Sequence, residues 1–364
     1  MRLLAEIMLH VAAALALSAC SLLPGARAPY AGLKAKCDTG SQSACHDYAF
    51  LTYDSDPARA QAIYKRLCDE GLGRACSNLG YRYAGETPAD YARARDYYDK
   101  GCALADGVAC HHLANLHIQG HGVARDATRG LALLKQACEH AYAQACYRVS
   151  IITQRGVVTE NRPEDAFGYM NRGCELRDTT SCHDLGYMYL EGRGTGKDPL
   201  KAASLFDMSC RNNLARGCGS LAYLYQEAIG VPKDNAEARK LNTRGCEGGD
   251  GASCANLGYM IQMGLGGPAD ARWAAQIYSQ SCQLKDALGC SNLGTLLADG
   301  HGVERDDAAA VPLLQTGCAD KIGEACRYLA DFHKDGRGTL PKSMEMAGYY
   351  AQKACEYGEK QACN

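Results

Sequence analysis

The stretch CHDLGYMYLEGRGTGKDPLKAASLFDMSC, residues 182–210, holds the whole architecture in one copy. Leu185 comes three positions after Cys182, then Gly186, then apolar and aromatic residues at helical spacing. The small residue marks a place where a neighbouring helix can approach closely. The segment EGRGTGKD (191–198) supplies a helix stop and positive φ. A second amphipathic pattern, PLKAASLFDMSC, then runs to Cys210. The spacing predicts a helical hairpin, which cannot bury its own apolar face without neighbours.

Working outward, the cysteines fall in pairs eight positions apart. The first five are Cys37 with Cys45, Cys68 with Cys76, Cys102 with Cys110, Cys138 with Cys146 and Cys174 with Cys182. The other five are Cys210 with Cys218, Cys246 with Cys254, Cys282 with Cys290, Cys318 with Cys326 and Cys355 with Cys363. From Cys102 to Cys318 the pairs recur every 36 residues; the first two intervals are 31 and 34 and the last is 37. Nine units lie between them, among them CSNLGYRYAGETPADYARARDYYDKGC (76–102) and CSNLGTLLADGHGVERDDAAAVPLLQTGC (290–318). A fixed period of this size overrides the two or three compact domains that a 364-residue length suggests. The expected fold is all-α, an α/α superhelical solenoid of about nine stacked hairpins. Three units depart from the pattern. The first, 45–68, has YDSDPARA and no glycine turn; the unit from Cys146 has Ser150 in place of the small glycine; the unit from Cys254 reads GLGGPADA where the usual turn stands.

The pattern LGxxY…GxGV…D…A resembles the Sel-1-like repeat family, a relative of the tetratricopeptide repeat. It is carried by Leu185, Gly186, Tyr189, Gly192, Gly194, Asp198 and Ala202 in one unit. Another unit carries it on Leu293, Gly294, Gly300, Gly302, Val303, Asp306 and Ala309. The C-x₇-C spacing resembles the cysteine-rich branch of that family, the Helicobacter cysteine-rich proteins. The resemblance spans residues 37–364 and implies either a binding scaffold or the penicillin-binding and weak β-lactamase activity attributed to that branch.

Two pairings suit stacked hairpins: the near pair, closing the loop between one hairpin and the next, or the two ends of one hairpin, such as Cys110 with Cys138. Pairing within hairpins would use Cys45 through Cys355 and strand Cys37 and Cys363, whereas pairing by eights consumes all twenty and leaves Cys20. Pairing by eights is therefore expected. The x₇ spacing is too wide for the common zinc knuckle. The mixed loops ELRDTTS and ADKIGEA lack the electropositive setting of a reactive C-x-x-C pair. No metal and no cofactor are expected.

Cysteine usage points outside the cytosol, since 21 cysteines in one chain suit an oxidising compartment. The N-terminus agrees: Arg2 precedes an apolar run from Leu9 to Ala19 that fits a signal-peptide core and is too short to span a bilayer. Leu17-Ser18-Ala19-Cys20 resembles a bacterial lipobox, which makes Cys20 the expected lipidation site, and Ser21 resembles an outer-membrane sorting signal. The boundaries expected are a leader at 1–19, a linker at 20–36 and the repeat array at 37–364.

The sequence offers little catalytic machinery. Net charge is −2, which argues against nucleic acid or a general membrane surface as partner. The S-x-x-K, S-D-N and K-T-G set and a G-x-S-x-G elbow are absent. GRGTGKD (192–198) lacks the phosphate-loop spacing. His111, His112, His117 and His121 form the densest histidine group, but His112 and His117 are five apart on a helix and share a face poorly. The ERDD run (304–307) reads as a solvated turn.

The remaining candidate site is the concave face, lined in related repeats by the first helix of each hairpin. Positions two and five after the leading cysteine are Asn78 and Tyr81, His112 and Asn115, Arg148 and Ile151, Asp184 and Tyr187, Ser220 and Tyr223, Asn256 and Tyr259, and Asn292 and Thr295. Tyrosine and asparagine suit peptide or glycan contact, although the tyrosines would equally fill hairpin interfaces. The reading is a monomeric, lipid-anchored envelope scaffold facing the periplasm, without enzymatic activity. Its expected ligand is an envelope protein, a peptide or a peptidoglycan fragment, and its only tie to a membrane is the lipid. A β-lactamase or penicillin-binding protein and an exported host-interaction factor are the alternatives.

Overall fold

The computed structural model describes residues 30–156, 158, 160 and 162–363. Cys20 and the leader lie outside the described residues, which hold nineteen α-helices, a closing 3₁₀ turn and no strand. The chain divides into two units, 1–146 and 147–364. The first contains α1 (Ala31–Asp38), α2 (Gln42–Thr52), α3 (Pro57–Asp69), α4 (Gly73–Ala84), α5 (Tyr91–Ala103), α6 (Gly107–Gln119) and α7 (Ala127–Glu139). The boundary falls inside α8 (Ala143–Arg155). The second contains α9 (Pro163–Glu175), α10 (Thr179–Glu191), α11 (Pro199–Arg211), α12 (Ala215–Glu227), α13 (Asn235–Glu247) and α14 (Gly251–Gln262). It ends with α15 (Ala271–Gln283), α16 (Ala287–Asp299), α17 (Asp307–Ala319), α18 (Gly323–Asp335) and α19 (Met344–Glu356). The expected nine hairpins run from α2/α3 to α18/α19, and α1 begins inside the segment read as a linker.

Within each unit the helices on either side of α8 pack each on the next, and first helices also pack side by side: α4 on α6 in the first unit, α12 on α14, α14 on α16 and α16 on α18 in the second. This is solenoid packing, each hairpin covering the apolar face its neighbour leaves open.

Inside a hairpin, the residue four after the leading cysteine faces the residue four before the trailing one. A Cβ on Gly80, Gly186 or Gly258 would sit 2.5, 2.6 or 2.5 Å from the ring of Tyr98, Phe206 or Tyr278. The glycines thus admit a fully buried aromatic in each of these three hairpins. In the unit from Cys146, Ser150 stands in the glycine's row and unbranched Met170 in the aromatic's, both fully buried. The Ser150 hydroxyl donates to the Ala166 carbonyl at 2.6 Å, so the departure is accommodated.

The glycine turn does two jobs. Its first glycine ends the first helix in the left-handed region, as at Gly192 (φ 74), Gly300 (φ 68) and Gly336 (φ 73). Its second glycine docks on the first residue of the preceding hairpin's second helix: Gly194 on Pro163, Gly230 on Pro199, Gly302 on Ala271. GLGGPADA proves to be this same turn, with Gly264 and Gly266 at φ 68 and 72; only the residues after it differ. The aspartate of the repeat motif then starts the second helix. Asp198 and Asp306 accept from the amides of Lys201 and Ala309 at 3.0 and 2.9 Å, and their own amides donate to Tyr189 and Leu297.

The ten near pairs are the disulfides, with Cα–Cα distances of 4.4 to 4.9 Å. Cys37 is bonded to Cys45, Cys68 to Cys76, Cys102 to Cys110, Cys138 to Cys146 and Cys174 to Cys182. Cys210 is bonded to Cys218, Cys246 to Cys254, Cys282 to Cys290, Cys318 to Cys326 and Cys355 to Cys363. The alternative closure of one hairpin on itself, Cys110 to Cys138, does not occur. Cys45, Cys76, Cys218, Cys290 and Cys326 each sit buried in the first turns of a first helix. A bridge therefore joins the last turn of one helix to the start of the next.

In every loop the third residue after the first cysteine has positive φ, whether glycine (Gly71, Gly249) or not (Ala105, Arg177, Lys285). Its amide donates to the cysteine carbonyl and the following amide to the residue before the cysteine, a tight C-terminal closure. In several loops that following residue is an aspartate, such as Asp178 or Asp250, whose carboxylate caps the next helix at 2.7 or 2.9 Å. The loop is thus a complete helix-end and helix-start in seven residues, and the disulfide fastens what the backbone already brings together.

Candidate functional site

The first helices of the second unit present Tyr187, Tyr223 and Tyr259 in one row, 37%, 52% and 49% exposed. Tyr187 also packs within its hairpin, its ring centroid 5.0 Å from that of Phe206, while Tyr98, Phe206 and Tyr278 of the second helices are the fully buried aromatics. Tyr187, Ser220, Tyr223 and Asn256 come together, with Arg216 and Asp250, around a cleft of about 320 Å³ spanning α10, α12 and α14. Tyr259 and Asn292 lie outside its lining; Asn292 is half-buried beside Thr295, whose hydroxyl donates to the Asn292 carbonyl.

Asp184 sits at the edge of this cleft at the centre of a polar network. It accepts from Tyr147 Oη at 3.1 Å and from His183 Nδ1 at 2.9 Å, and lies 3.8 Å from Arg216 Nη2. Burial alone would raise its pKa; the hydrogen bond and charge of His183, with Arg216 and Tyr147, outweigh burial and hold it below the usual carboxylate value. The Tyr147 phenol is pushed up, first by burial and then by Asp184, which keeps it a donor. His183 Nε2 lies 3.1 Å from Ser220 Oγ, and Tyr187 Oη lies 2.9 Å from the same oxygen.

The first unit carries the other candidates. Asn78 is half-buried, its amide 3.0 Å from His46 Nε2, and Tyr81 is 59% exposed with its ring 6.1 Å from His112. His112 is held against Tyr98, ring centroids 5.1 Å apart, and burial lowers its pKa. Asn115 is half-buried. Arg148 and Ile151 are half-buried in the second unit, Ile151 against the Met170–Leu185 core.

Sequence reasoning overlooked His183, Arg216 and Asp250. His183 stands one position after its cysteine, outside the rows two and five after it that the sequence singled out. The available signal was the triplet Cys-His-Asp, which occurs at 45–47 and again at 182–184.

The model of the Sel1 repeat matches residues 73–106, 107–142, 143–178, 179–214, 215–250, 251–286, 287–319 and 323–358. The chain belongs to the Sel1 repeat family. The matched repeats leave out the hairpin α2/α3, the unit without a glycine turn. Among solved structures it is similar to c5321, a protective antigen present in uropathogenic Escherichia coli strains displaying an SLR fold. That similarity has a TM-score of 0.67 at 23% identity, covering 92% of this chain and 81% of that one. A Sel1 repeat protein from Oxalobacter formigenes gives a TM-score of 0.65 at 17% identity, covering 86% and 91%. These similarities show the Sel1-repeat fold. Among curated proteins, cytochrome c oxidase assembly factor 7A of Xenopus laevis is 30% identical over 124 residues, 30% of this chain and 54% of the relative. The chain spans about half the length of the curated relatives it matches.

Proposed function

We propose that this Sel1-repeat protein is a binding scaffold of the bacterial envelope, anchored by a lipid on Cys20. Its first-helix face would hold a protein or peptide partner, or a peptidoglycan-derived fragment. The observation that carries the reading is the exposed row Tyr187, Tyr223 and Tyr259, with Asn256 half-buried between the last two. Large aromatic rings left in water on a rigid face give contact area at low conformational cost, and the amide beside them gives hydrogen-bond direction. The test is recovery of partners from an envelope extract with the mature protein and with a Tyr223→Ala, Asn256→Ala variant. Loss of a specific partner by the variant supports the reading; equal recovery from both defeats it. Metabolic labelling with a radioactive fatty acid, lost in Cys20→Ser, tests the anchor.

A further inference from the structure

Ser220, His183 and Asp184 form a hydrogen-bonded line in the wall of the cleft. Ser220 Oγ is 3.1 Å from His183 Nε2, and His183 Nδ1 is 2.9 Å from Asp184 Oδ1. With the imidazole neutral, the proton arrangement follows. Nδ1–H donates to the carboxylate, Nε2 accepts from the Ser220 hydroxyl, and Ser220 Oγ accepts from Tyr187 Oη at 2.9 Å. The Arg216 carbonyl, 3.0 Å from Ser220 Oγ, takes the serine proton when His183 is protonated. Ser220 and His183 are 9% and 5% exposed, yet both line the cleft beside Tyr187 and Arg216.

The first unit contains the same stitch. His46 Nδ1 lies 3.1 Å from Asp47 Oδ1, and its Nε2 lies 3.0 Å from the Asn78 amide. The His–Asp pair reaching the next hairpin is therefore a device of the Cys-His-Asp triplet, and by itself it only ties two hairpins. What differs at the second copy is the receiving residue. There a hydroxyl replaces the amide, and Tyr187 stands where the first copy has Phe50. A serine held by a histidine that a carboxylate orients is the arrangement that activates an oxygen nucleophile.

We propose that Ser220 is an activated serine that accepts the acyl group of a small activated aryl ester. His183 Nε2 takes the hydroxyl proton as Ser220 Oγ bonds to the carbonyl carbon. The tetrahedral adduct collapses as His183 returns that proton to the departing aryl oxygen, breaking the acyl C–O bond. The products are an ester on Ser220 and a phenol, and water releases the acid by the same proton path. Asp184 keeps the imidazole in the accepting tautomer and stabilises its cation. The Tyr187 hydroxyl, 2.9 Å from Ser220 Oγ, is the proposed oxyanion donor, whereas the Ser220 amide lies inside α12 and is committed to the helix. An oxyanion donor is worth roughly 10²–10³ in rate, so a site with a single such donor acylates slowly.

The experiment uses the purified full chain and a fluorophosphonate probe, with adducts mapped by mass spectrometry after digestion. A single adduct on Ser220 is expected. Ser220→Ala should remove the adduct. His183→Gln, which can keep hydrogen bonds to both neighbours, should slow labelling at least tenfold, and Asp184→Asn should slow it less. Circular dichroism melts of the variants separate loss of activation from loss of folding. No adduct on the native chain, adducts spread over other serines, or a folded His183→Gln protein labelled at the native rate would each overturn the proposal.

Discussion

Gly194 rests directly on the Pro163 carbonyl group, so close that a Cβ at 194 would overlap the carbonyl oxygen and carbon. The contact joins the turn of one hairpin to the start of the second helix in the hairpin before it. The same seat recurs at Gly230 and Gly302.

Gly194→Ala should therefore be costly, since positive φ (70) and a backbone neighbour that cannot swing away act together. Strain and overpacking of this kind cost about 2–3 kcal/mol. Gly196→Ala, two residues on, meets nothing within 4 Å and should be close to neutral. Thermal denaturation of the two variants checks this; equal midpoints would mean that the turn does not seat the hairpin.

Ala228 is the exception among the helix-ending positions, holding φ 56 where Gly192, Gly300 and Gly336 hold similar angles without a Cβ. Ala228→Gly should stabilise the chain by about 0.5–1 kcal/mol by relieving the left-handed strain. The measurement is the shift of the denaturant midpoint at unchanged slope, and a lower midpoint would contradict the assignment.

Each disulfide closes a nine-residue ring, for which chain entropy gives about 2–3 kcal/mol of stabilisation. Replacing Cys246 and Cys254 together by serine should cost that much or less, because the backbone closure of the loop persists. Hydrogen exchange should show the faster amides in α13 and α14, with little change in α18 and α19. Uniform acceleration along the second unit would show that the bridge acts globally.

Asp307 should carry part of the acid sensitivity of the second unit. Arg337 grips it with two bonds of 2.9 and 2.8 Å and Arg305 with two of 3.0 Å, which hold its carboxyl well below the usual carboxylate range. A depressed folded-state pKa gives stability that is full above the unfolded value of about 3.9 and is lost as pH falls through the folded value. After discounting for the site's exposure, Asp307→Asn should lose about 1 kcal/mol at neutral pH. The gap between variant and native protein should narrow only below about pH 4. A gap constant down to pH 2 would refute the ion-pair account.

The cysteine period made the hairpin count, the helix directions and the disulfide pairing legible, because each depends on spacing that repeats. The glycine at 186 announced a close approach, but only the fold shows that Phe206 fills it. The left-handed residue of each disulfide loop was hidden, since Ala105, Arg177 and Lys285 carry no sign of it; the closure of the ring, not residue preference, sets their backbone. The candidate face was legible as positions two and five, and the exposure of Tyr187, Tyr223 and Tyr259 follows from that register. The bond from His183 to Ser220 was not, because it joins residues 37 apart whose neighbours in other repeats are different amino acids.

Because every bridge begins and ends within a single junction, the array can change length without rewiring. Excising residues 218–253 would place Cys210 eight positions before Cys254, a partner at the spacing it already uses. Duplication or loss of one repeat in a lineage therefore leaves no orphan thiol and no mispaired crosslink, and the array can lengthen or shorten one junction at a time.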